Sequence, residues 1–247
     1  MLTSASPAMI DTLIRKLSSA GGLTEADRET VRQLNLRTQQ VPARQDLTCE
    51  GDRPENVHLV LSGFACRYKV LPRGRRSIAA LMVPGDFCDL HVAILDEMDH
   101  SIATLTPCTV VEIPRSTIRD LTKNHPHITH ALWWATLVDE AVLREWLVGI
   151  AGREAPERTA HLFCELLLRL QTVGLAEGDG YAMPFTQNDL ADMLGLTPVH
   201  VNRVLREMRL DNLIVLKRRY LRIPDVARLC AFCDFNANYL HRTPRSK

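Results

Sequence analysis

The segment from Phe185 to Arg209, FTQNDLADMLGLTPVHVNRVLREMR, constrains the fold of this chain more than any other stretch. Thr186 can cap a helix, and an acidic residue three positions later completes a capping box. Gly195 can adopt the left-handed conformation that ends this helix. Thr197 can cap a second helix, and the proline that follows suits the first position of a helix. The pattern therefore predicts two short helices joined by a tight turn.

The spacing within this segment is that of a helix-turn-helix. Ala191 comes four residues before the turn glycine, Gly195, and Val201 comes six residues after it. Two helices that cross steeply need a small side chain at the crossing, a glycine at the corner and an apolar anchor on the second helix. The alternative interpretation is an ordinary helical hairpin with a solvated basic face.

The outward face of the second helix carries side chains that suit base edges. Arginine fits guanine, asparagine fits adenine, and an exposed valine fits the methyl group of thymine. The outward positions are Pro198, Val199, His200, Asn202, Arg203 and Arg206. This composition predicts that the helix lies in the major groove of DNA.

Positive charge is concentrated at this end of the chain. Net charge is +1 overall, but the segment 196–223 has seven Lys or Arg residues against two acids. Leu213–Leu216 and Tyr220–Ile223 read as two strands that flank the basic run Lys217-Arg218-Arg219. A localised basic surface is typical of a protein that faces phosphates. We interpret the segment as a winged helix-turn-helix with a basic wing tip.

The N-terminal half has a different periodicity. Residues 1–9 read as a loose tail, and Ile10–Ser19 and Thr24–Leu34 read as short amphipathic helices. Short alternating runs with glycine-bearing turns follow, and they predict an antiparallel barrel or jelly roll. The expected strands are Thr38–Pro42, Leu47–Cys49, His58–Leu61, Ala65–Leu71, Ser77–Met82 and Thr109–Ile113.

A long helix is expected to connect the two halves. It spans His127 to about Ile150, and its first half is apolar almost all round, so both sides must be covered. We expect Trp133 and Leu137 to pack on the strand domain. The seam of a dimer would take the opposite side, with burial within one subunit as the alternative. The residues expected in that seam are Ile128, Ala131, Ala135, Val138 and Val142.

These patterns divide the chain into an α+β arrangement of three parts. Residues 1–126 would form N-terminal helices and a strand domain, and 127–152 the dimerisation helix, with Ala151-Gly152-Arg153 as a hinge. Residues 153–247 would form the winged domain, which opens with a helix from Pro156 to about Thr172, and a C-terminal tail.

The cysteines and the apolar runs of the sequence limit which classes of protein this chain can belong to. The seven cysteines are scattered and odd in number, which argues against a disulfide framework and for a reducing cytoplasm. No signal pattern or membrane-length apolar run is present, so we expect no membrane partner. We also expect no catalytic activity and no metal site, because the sequence offers no phosphate loop, nucleophile elbow or metal-ligand set.

The order of these parts resembles the Crp/Fnr family of dimeric bacterial transcription regulators. In the sensor half the resemblance is carried by Glu50-Gly51-Asp52, Leu61-Ser62-Gly63 and Pro84-Gly85-Asp86-Phe87, and in the other half by Thr186–Met208. It implies a cyclic-nucleotide-binding-type β-roll, dimerisation through the long helix, a palindromic DNA site and contact with RNA polymerase.

The sensor half departs from members of this family that bind cyclic AMP. Those members have Gly-Glu-Leu and an Arg-Ser/Thr pair where this chain has Cys88-Asp89-Leu90 and His100-Ser101. Histidine is a poor replacement for a guanidinium that holds a phosphate, so we expect little cyclic-nucleotide binding. Another effector could bind here, or the segment could be an ordinary loop. The candidate effector residues are Cys88, Asp89, His91, Asp99, His100 and Ser101.

Cofactors are not expected. Iron–sulfur members of the family have an N-terminal cysteine cluster, whereas the first cysteine here is Cys49. Phe87–His91 is similar to the Cys/His segment of haem-based carbon monoxide sensors, but the spacing is one residue longer. Cys230 and Cys233 have zinc or redox spacing without a second ligand pair, and a buried helix surface is the simpler interpretation.

The sequence thus predicts a homodimeric, sequence-specific transcription regulator that binds double-stranded DNA. The resemblance implies that Val199, Asn202 and Arg203 contact bases. The remaining expected DNA contacts, mainly to phosphates, are Thr186, Gln187, Thr197, Pro198, His200, Arg206, Lys217, Arg218 and Arg219. The alternatives are a sensor or adaptor whose winged domain binds protein, and a haem-based gas sensor.

Overall fold

The computed structural model describes residues 2–4, 7–34 and 36–242. The chain forms two compact units, of which the first contains most of the chain up to Asp139 and the second comprises Glu140–Arg242 together with Arg76–Ile78. No helix in the described ranges is long and apolar enough to cross a membrane.

The first unit combines three complete helices and the start of a fourth with two four-stranded sheets. The helices are α1 (Pro7–Ser18), α2 (Glu25–Arg32), α3 (Arg115–Asn124) and the start of α4 (Pro126–Gly152). The strands are β1 (Leu2–Ser4), β2 (Arg37–Val41), β3 (Asp46–Thr48), β4 (Asn56–Ser62), β5 (Ala65–Val70), β6 (Arg76–Met82), β7 (Ser101–Thr104) and β8 (Cys108–Pro114). The sheet orders are β1-β2-β8-β4 and β3-β7-β5-β6.

The expected β-roll is therefore present, with two strands that the sequence did not indicate. Leu2–Ser4 lies within the expected loose tail, but it pairs antiparallel with β2, so that Leu2 is opposite Gln39. Ser101–Thr104 pairs antiparallel with both β3 and β5. Both segments are too short to show an alternating pattern, and their pairing is decided by strands distant in sequence.

A buried, hydrogen-bonded His58–Asp89 pair ties the turn after β6 to strand β4. The Asp89 carboxylate accepts hydrogen bonds from the backbone N–H of His58 (2.6 Å) and lies 2.6 Å from His58 Nδ1. Burial lowers the pKa of His58, but its hydrogen bond to Asp89 and the charges of Asp89 and Glu112 outweigh that effect and raise the pKa above its usual value. The pair fixes the segment that leads into the candidate effector residues.

The long helix places its faces in the opposite way from the expectation. Ile128 and Ala131 are wholly buried in the core of the first unit, and Leu132 joins them. Trp133 and Leu137 are instead 65% and 54% exposed. The side of the helix that was expected to face a dimer partner is therefore buried in the core, and the side that was expected to pack on the strands is exposed. The sequence could not distinguish the two, because a helix that is apolar on both sides gives no sign of which side is covered.

The remaining expected seam residues are also partly or fully covered within the chain. Val142 is buried beside Tyr239 and Leu240, and Ala135 and Val138 are half-buried. The expected helix break is also two residues too early, because α4 continues through Ala151 and Gly152. Only Arg153 and Glu154 separate α4 from the next helix.

The second unit is built around helix α5. Its other elements are the part of α4 from Glu140 onward, a sheet in the order β11-β12-β10-β9 and three further helices. Their bounds are α5 (Ala155–Thr172), β9 (Ala176–Glu177), β10 (Gly180–Ala182), α6 (Gln187–Leu194), α7 (Pro198–Leu210), β11 (Val215–Lys217), β12 (Tyr220–Arg222) and α8 (Val226–Phe232).

A fully buried carboxylate joins the C-terminal turn to this unit. Glu165 accepts hydrogen bonds from Trp146 Nε1 (3.0 Å), Arg169 Nη1 (2.9 Å) and the Tyr239 hydroxyl (3.1 Å). A buried carboxylate is tolerated only when donors surround it in this way. The segment expected as a tail is thus packed in place at least as far as Leu240, which is buried.

The cysteines of the described residues are all free. Cys230 on α8 is half-buried and Cys233, directly after α8, is buried, in agreement with a packed helix surface. The fold adds a neighbour that spacing did not reveal, because Cys164 Sγ of α5 lies 3.8 Å from Cys230 Sγ.

Candidate nucleic-acid interface

The helix-turn-helix is present as the sequence predicts. The Thr186 hydroxyl accepts from the N–H of Asp189 at 3.1 Å, and the Asp189 carboxylate accepts from the N–H of Thr186 at 2.9 Å. Gly195 ends α6 in the left-handed region with φ of 63°. Thr197 then caps α7 by accepting from the N–H of His200 at 3.2 Å. These local bonds fix the direction in which α7 leaves the turn.

The buried side of α7 anchors it against the rest of the second unit. Val201, Val204, Leu205 and Met208 are all buried, and so is Ala191 at the crossing with α6. The interval of three to four residues leaves the opposite side of α7 in solvent. The packing therefore determines which side chains a ligand can reach.

The exposed side of α7 carries the predicted base-reading residues. Val199 is 81% exposed, and Asn202, Arg203 and Arg206 are also exposed. Within the described ranges, no hydrogen bond or ion pair engages the side chains of Asn202, Arg203 or Arg206. Their donors and acceptors are thus available to base edges and phosphates.

The two capping threonines differ in what they can offer to DNA. Thr186 donates its hydroxyl proton to Asp189 Oδ2 at 2.6 Å, so this side chain is committed to the cap. Thr197 only accepts a bond, and its exposed hydroxyl can still donate to a phosphate. Gln187 and Pro198 are exposed at the starts of their helices, and His200 is half-buried.

The tip of the wing combines positive charge with an unfavourable backbone conformation. Lys217 and Tyr220 pair across the β11–β12 hairpin, and Arg218 and Arg219 form the two-residue turn between them. Both arginines have positive φ, 49° and 61°. Such turns favour Asn-Gly, because a side chain disfavours positive φ. The exposed charge at this tip is retained despite a cost in backbone energy.

The candidate effector residues of the first unit fall into two groups. Cys88 and Asp89 are wholly buried, and burial raises the pKa of the Cys88 thiol well above its usual value. Neither residue presents an accessible ligand-binding atom, so their expected role in direct effector contact is not supported by the fold. Their immediate partners are structural, as the His58–Asp89 pair illustrates.

The second group lies together near the surface. His91 is on a short 3-10 turn after Asp89, and Asp99, His100 and Ser101 lie in and before β7. One potential metal-ligand atom from each of His91, Asp99 and His100 lies within 4.8 Å of the other two. The sequence offered no evident metal-ligand set, because the proximity of His91 to Asp99 and His100 arises only in the fold.

Arg67 is a residue of this region that the sequence analysis missed. Its Nε donates to the carbonyl of Cys88 at 2.7 Å and its Nη2 to the carbonyl of Phe87 at 3.0 Å. Nη1 pairs with Asp139 on α4. The arginine therefore holds the turn after β6 to the long helix, a role that no local sequence pattern indicates.

Comparisons with known proteins agree with both halves of this structure. Residues 38–125 match the profile of the cyclic nucleotide-binding domain, and residues 157–232 match that of the Crp-like helix-turn-helix domain. The two matched regions correspond to the β-roll and to the winged unit, in the order expected from the sequence.

Individual relatives have the same arrangement. The chain is 27% identical over 191 residues to the transcriptional activator protein FnrL of Cereibacter sphaeroides, which covers 76% of each protein. It is 27% identical over 221 residues to the transcriptional activatory protein AadR of Rhodopseudomonas palustris, covering 88% of this chain and 90% of AadR. The fold is similar to that of FixK2 from Bradyrhizobium japonicum, with a TM-score of 0.74, 23% identity and coverage of 81% and 98%.

A β-roll, a long helix and a capped helix-turn-helix with a basic wing occur here in one order, and each half matches its own domain profile. The chain therefore belongs to the Crp/Fnr family of transcription regulators.

Proposed function

We propose that this regulator acts as a homodimer on a palindromic DNA site in the cytoplasm, with α7 of each subunit in the major groove. Regulators of this family bind DNA and dimerise. A twofold axis places the two helices on half-sites about 34 Å apart, which is one turn of DNA. The family is one of transcription regulators, not enzymes, which is consistent with a binding function alone.

The observation that carries this proposal is the uncommitted polar side of α7. Val199, Asn202 and Arg203 lie outward on a helix whose start is fixed by the Thr197 cap. Arg203 would read guanine, Asn202 adenine and Val199 a thymine methyl. Thr197, Arg206 and the wing tip 217–219 would hold phosphates, which sets the register on the duplex.

Exposed apolar side chains of α4 support the dimer. Trp133 (65%), Leu137 (54%) and Leu147 (66%) are exposed at intervals that place them along one side of the helix. Large apolar side chains in such a row are typical of a helix that packs against a second helix.

A regulatory input would enter through the β-roll near His91–Ser101 and change the population of DNA-competent dimers. Bound dimers would then contact RNA polymerase.

The experiment that tests this function is selection of bound sequences from random duplex DNA by the purified full chain. We expect a palindromic consensus with half-site centres about 10 base pairs apart. Affinity for the consensus should exceed that for random DNA by at least about 10³-fold. A pool without a repeated half-site, or equal affinity for every duplex, would contradict the proposal and favour the adaptor alternative.

A further inference from the structure

Two histidines of the β-roll lie close together with potential ligand atoms directed into protein. The rings of His91 and His100 have centroids 5.3 Å apart and are tilted by 42°. The side chain of His100 is only 15% exposed, although it lies in a turn, and His91 is half-buried. Imidazoles at this spacing can share one bound atom.

Both histidines have a buried nitrogen without a partner. The Nε2 atoms of His91 and His100 are inaccessible to solvent, and neither forms a hydrogen bond within the ranges described. Burying a polar nitrogen without a partner is unfavourable, so each such atom in a folded protein requires an explanation. Two of them on neighbouring rings have a common explanation if one ligand binds both.

Asp99 orients one of the rings. His100 Nδ1 lies 2.6 Å from Asp99 Oδ1, which favours the tautomer with the proton on Nδ1. The lone pair of His100 is then on Nε2, the atom that lacks a partner. A carboxylate that accepts from the outer nitrogen of a metal-binding histidine is a recurring arrangement in metal sites.

We propose that His91 and His100 bind a divalent first-row transition cation of the zinc class through Nε2, and that Asp99 is the positioning residue for His100. Imidazole suits zinc, iron, nickel and copper, and oxygen-preferring calcium and magnesium are not expected here. Water would occupy the other coordination positions. Those positions could be exchanged for an anionic effector, which would give this regulator a ligand site different from a cyclic-nucleotide pocket.

Two positively charged side chains of this region are paired with carboxylates. The Arg67 charge is paired with Asp139, and Lys69 Nζ is paired with Glu50 at 2.7 Å. These two cations therefore have anionic partners of their own, which limits their repulsion of a metal ion.

The inference shares its location with the proposed effector site but does not depend on DNA binding. Metal binding can be measured on the full chain without DNA. Failure of the metal site would leave the helix-turn-helix function intact, and failure of DNA binding would not affect the metal measurement.

The test is titration of the chelator-treated full chain with cobalt(II), followed by absorption and calorimetry. Cobalt(II) accepts the ligands that zinc accepts, and thiolate ligands add an intense near-ultraviolet band that imidazole ligands do not. This distinction matters because Cys164 and Cys230 form a thiol cluster elsewhere in the chain. We expect one cobalt per chain, dissociation in the micromolar range, and visible bands without the thiolate band.

Matched variants locate the site. His91→Gln and His100→Gln should each weaken cobalt binding by at least 10-fold, and Asp99→Asn by roughly 10- to 100-fold. His125→Gln, in the same unit but outside the cluster, and Cys230→Ala should bind as the unchanged chain does. Circular dichroism melts check that each variant is folded. The absorption spectrum of the cobalt-bound wild type distinguishes imidazole from thiolate ligands without any variant. A thiolate band, loss of binding in Cys230→Ala, equal binding in all variants, or no binding at micromolar cobalt would each overturn the inference.

Discussion

The Arg203 side chain forms no hydrogen bond or ion pair within the described residues, and it lies on the side of α7 that points away from the core. Truncation to alanine removes the bidentate donors expected to bind guanine. We therefore expect Arg203→Ala to weaken binding to the selected consensus by about 1–3 kcal/mol and to relax the preference at one base pair. Competition binding against consensus variants, with each base substituted in turn, measures both effects.

The control for this change is Arg209→Ala. Arg209 is exposed on the last turn of the same helix and carries the same charge, but it is not among the predicted base contacts. Its loss should lower affinity for all sequences to a similar, smaller extent. If Arg203→Ala also weakened random and consensus DNA equally, its assignment to base reading would be wrong.

His161 gives the second unit a defined sensitivity to acid. Burial, reinforced by the charge of Arg153 and opposed by Glu145, lowers the pKa of this histidine to about 4. In the unfolded chain it titrates near its ordinary value of about 6.5. Between these values the unfolded state binds a proton that the folded state does not, so stability falls as pH decreases through this window.

We expect His161→Gln to reduce this loss. The difference in the free energy of unfolding between wild type and variant should change by up to about 1.4 kcal/mol per pH unit within the window. Urea denaturation between about pH 7 and about pH 5 measures it, and taking the difference cancels contributions from other groups such as His58. His125→Gln is the matched control, and parallel pH profiles for wild type and His161→Gln would contradict the assignment.

At the scale of elements, the wing tip places two charged residues, Arg218 and Arg219, in a backbone conformation that side chains disfavour. Replacing Arg218 and Arg219 by Asn and Gly supplies the residues that this turn favours. We expect the double variant to be more stable by about 1–2 kcal/mol, because two left-handed residues no longer carry unsuitable side chains. We also expect it to bind every DNA sequence more weakly and with a smaller dependence on salt.

The matched control is the pair Arg218→Lys and Arg219→Lys, which keeps both charges and both strained positions. It should leave stability and the salt dependence close to those of wild type. Thermal melts and binding isotherms at two salt concentrations distinguish the variants. Undiminished DNA binding by the Asn-Gly variant would show that the wing tip does not contact phosphates.

The elements also mark where sequence reasoning succeeds. Caps, turn glycine and apolar intervals located α6 and α7, because each of these signals acts within a few residues of the chain. The pairing of β7 was not predicted, because it depends on strands brought together by the whole roll. The His91–His100 contact was missed for the same reason, since it requires the 3-10 turn and the start of β7 to meet.

At the scale of the molecule, the face of α4 is the feature that sequence reasoning placed wrongly. Both sides of ITHALWWATLV are apolar, so the intervals fit either arrangement. The choice is made by the core of the first unit, which accepts Ile128, Ala131 and Leu132 and leaves Trp133 and Leu137 outside. The proposed dimer surface is consequently the part of α4 that the core leaves uncovered, and it can be identified only once the fold is known.

This correction leads to a prediction that separates the two possible seams. Leu137→Glu combined with Leu147→Glu introduces like charges on the exposed side of α4, where each would face its symmetry mate or a close neighbour in a twofold dimer. We expect the double variant to be folded but monomeric at micromolar concentration, as sedimentation would reveal. It should lose affinity for the palindrome while retaining weak binding to a half-site, because only one recognition helix then engages the DNA.

Leu175→Glu, at an exposed leucine outside α4, is the control and should leave the dimer intact. A double variant that remained dimeric would place the subunit interface elsewhere on the chain.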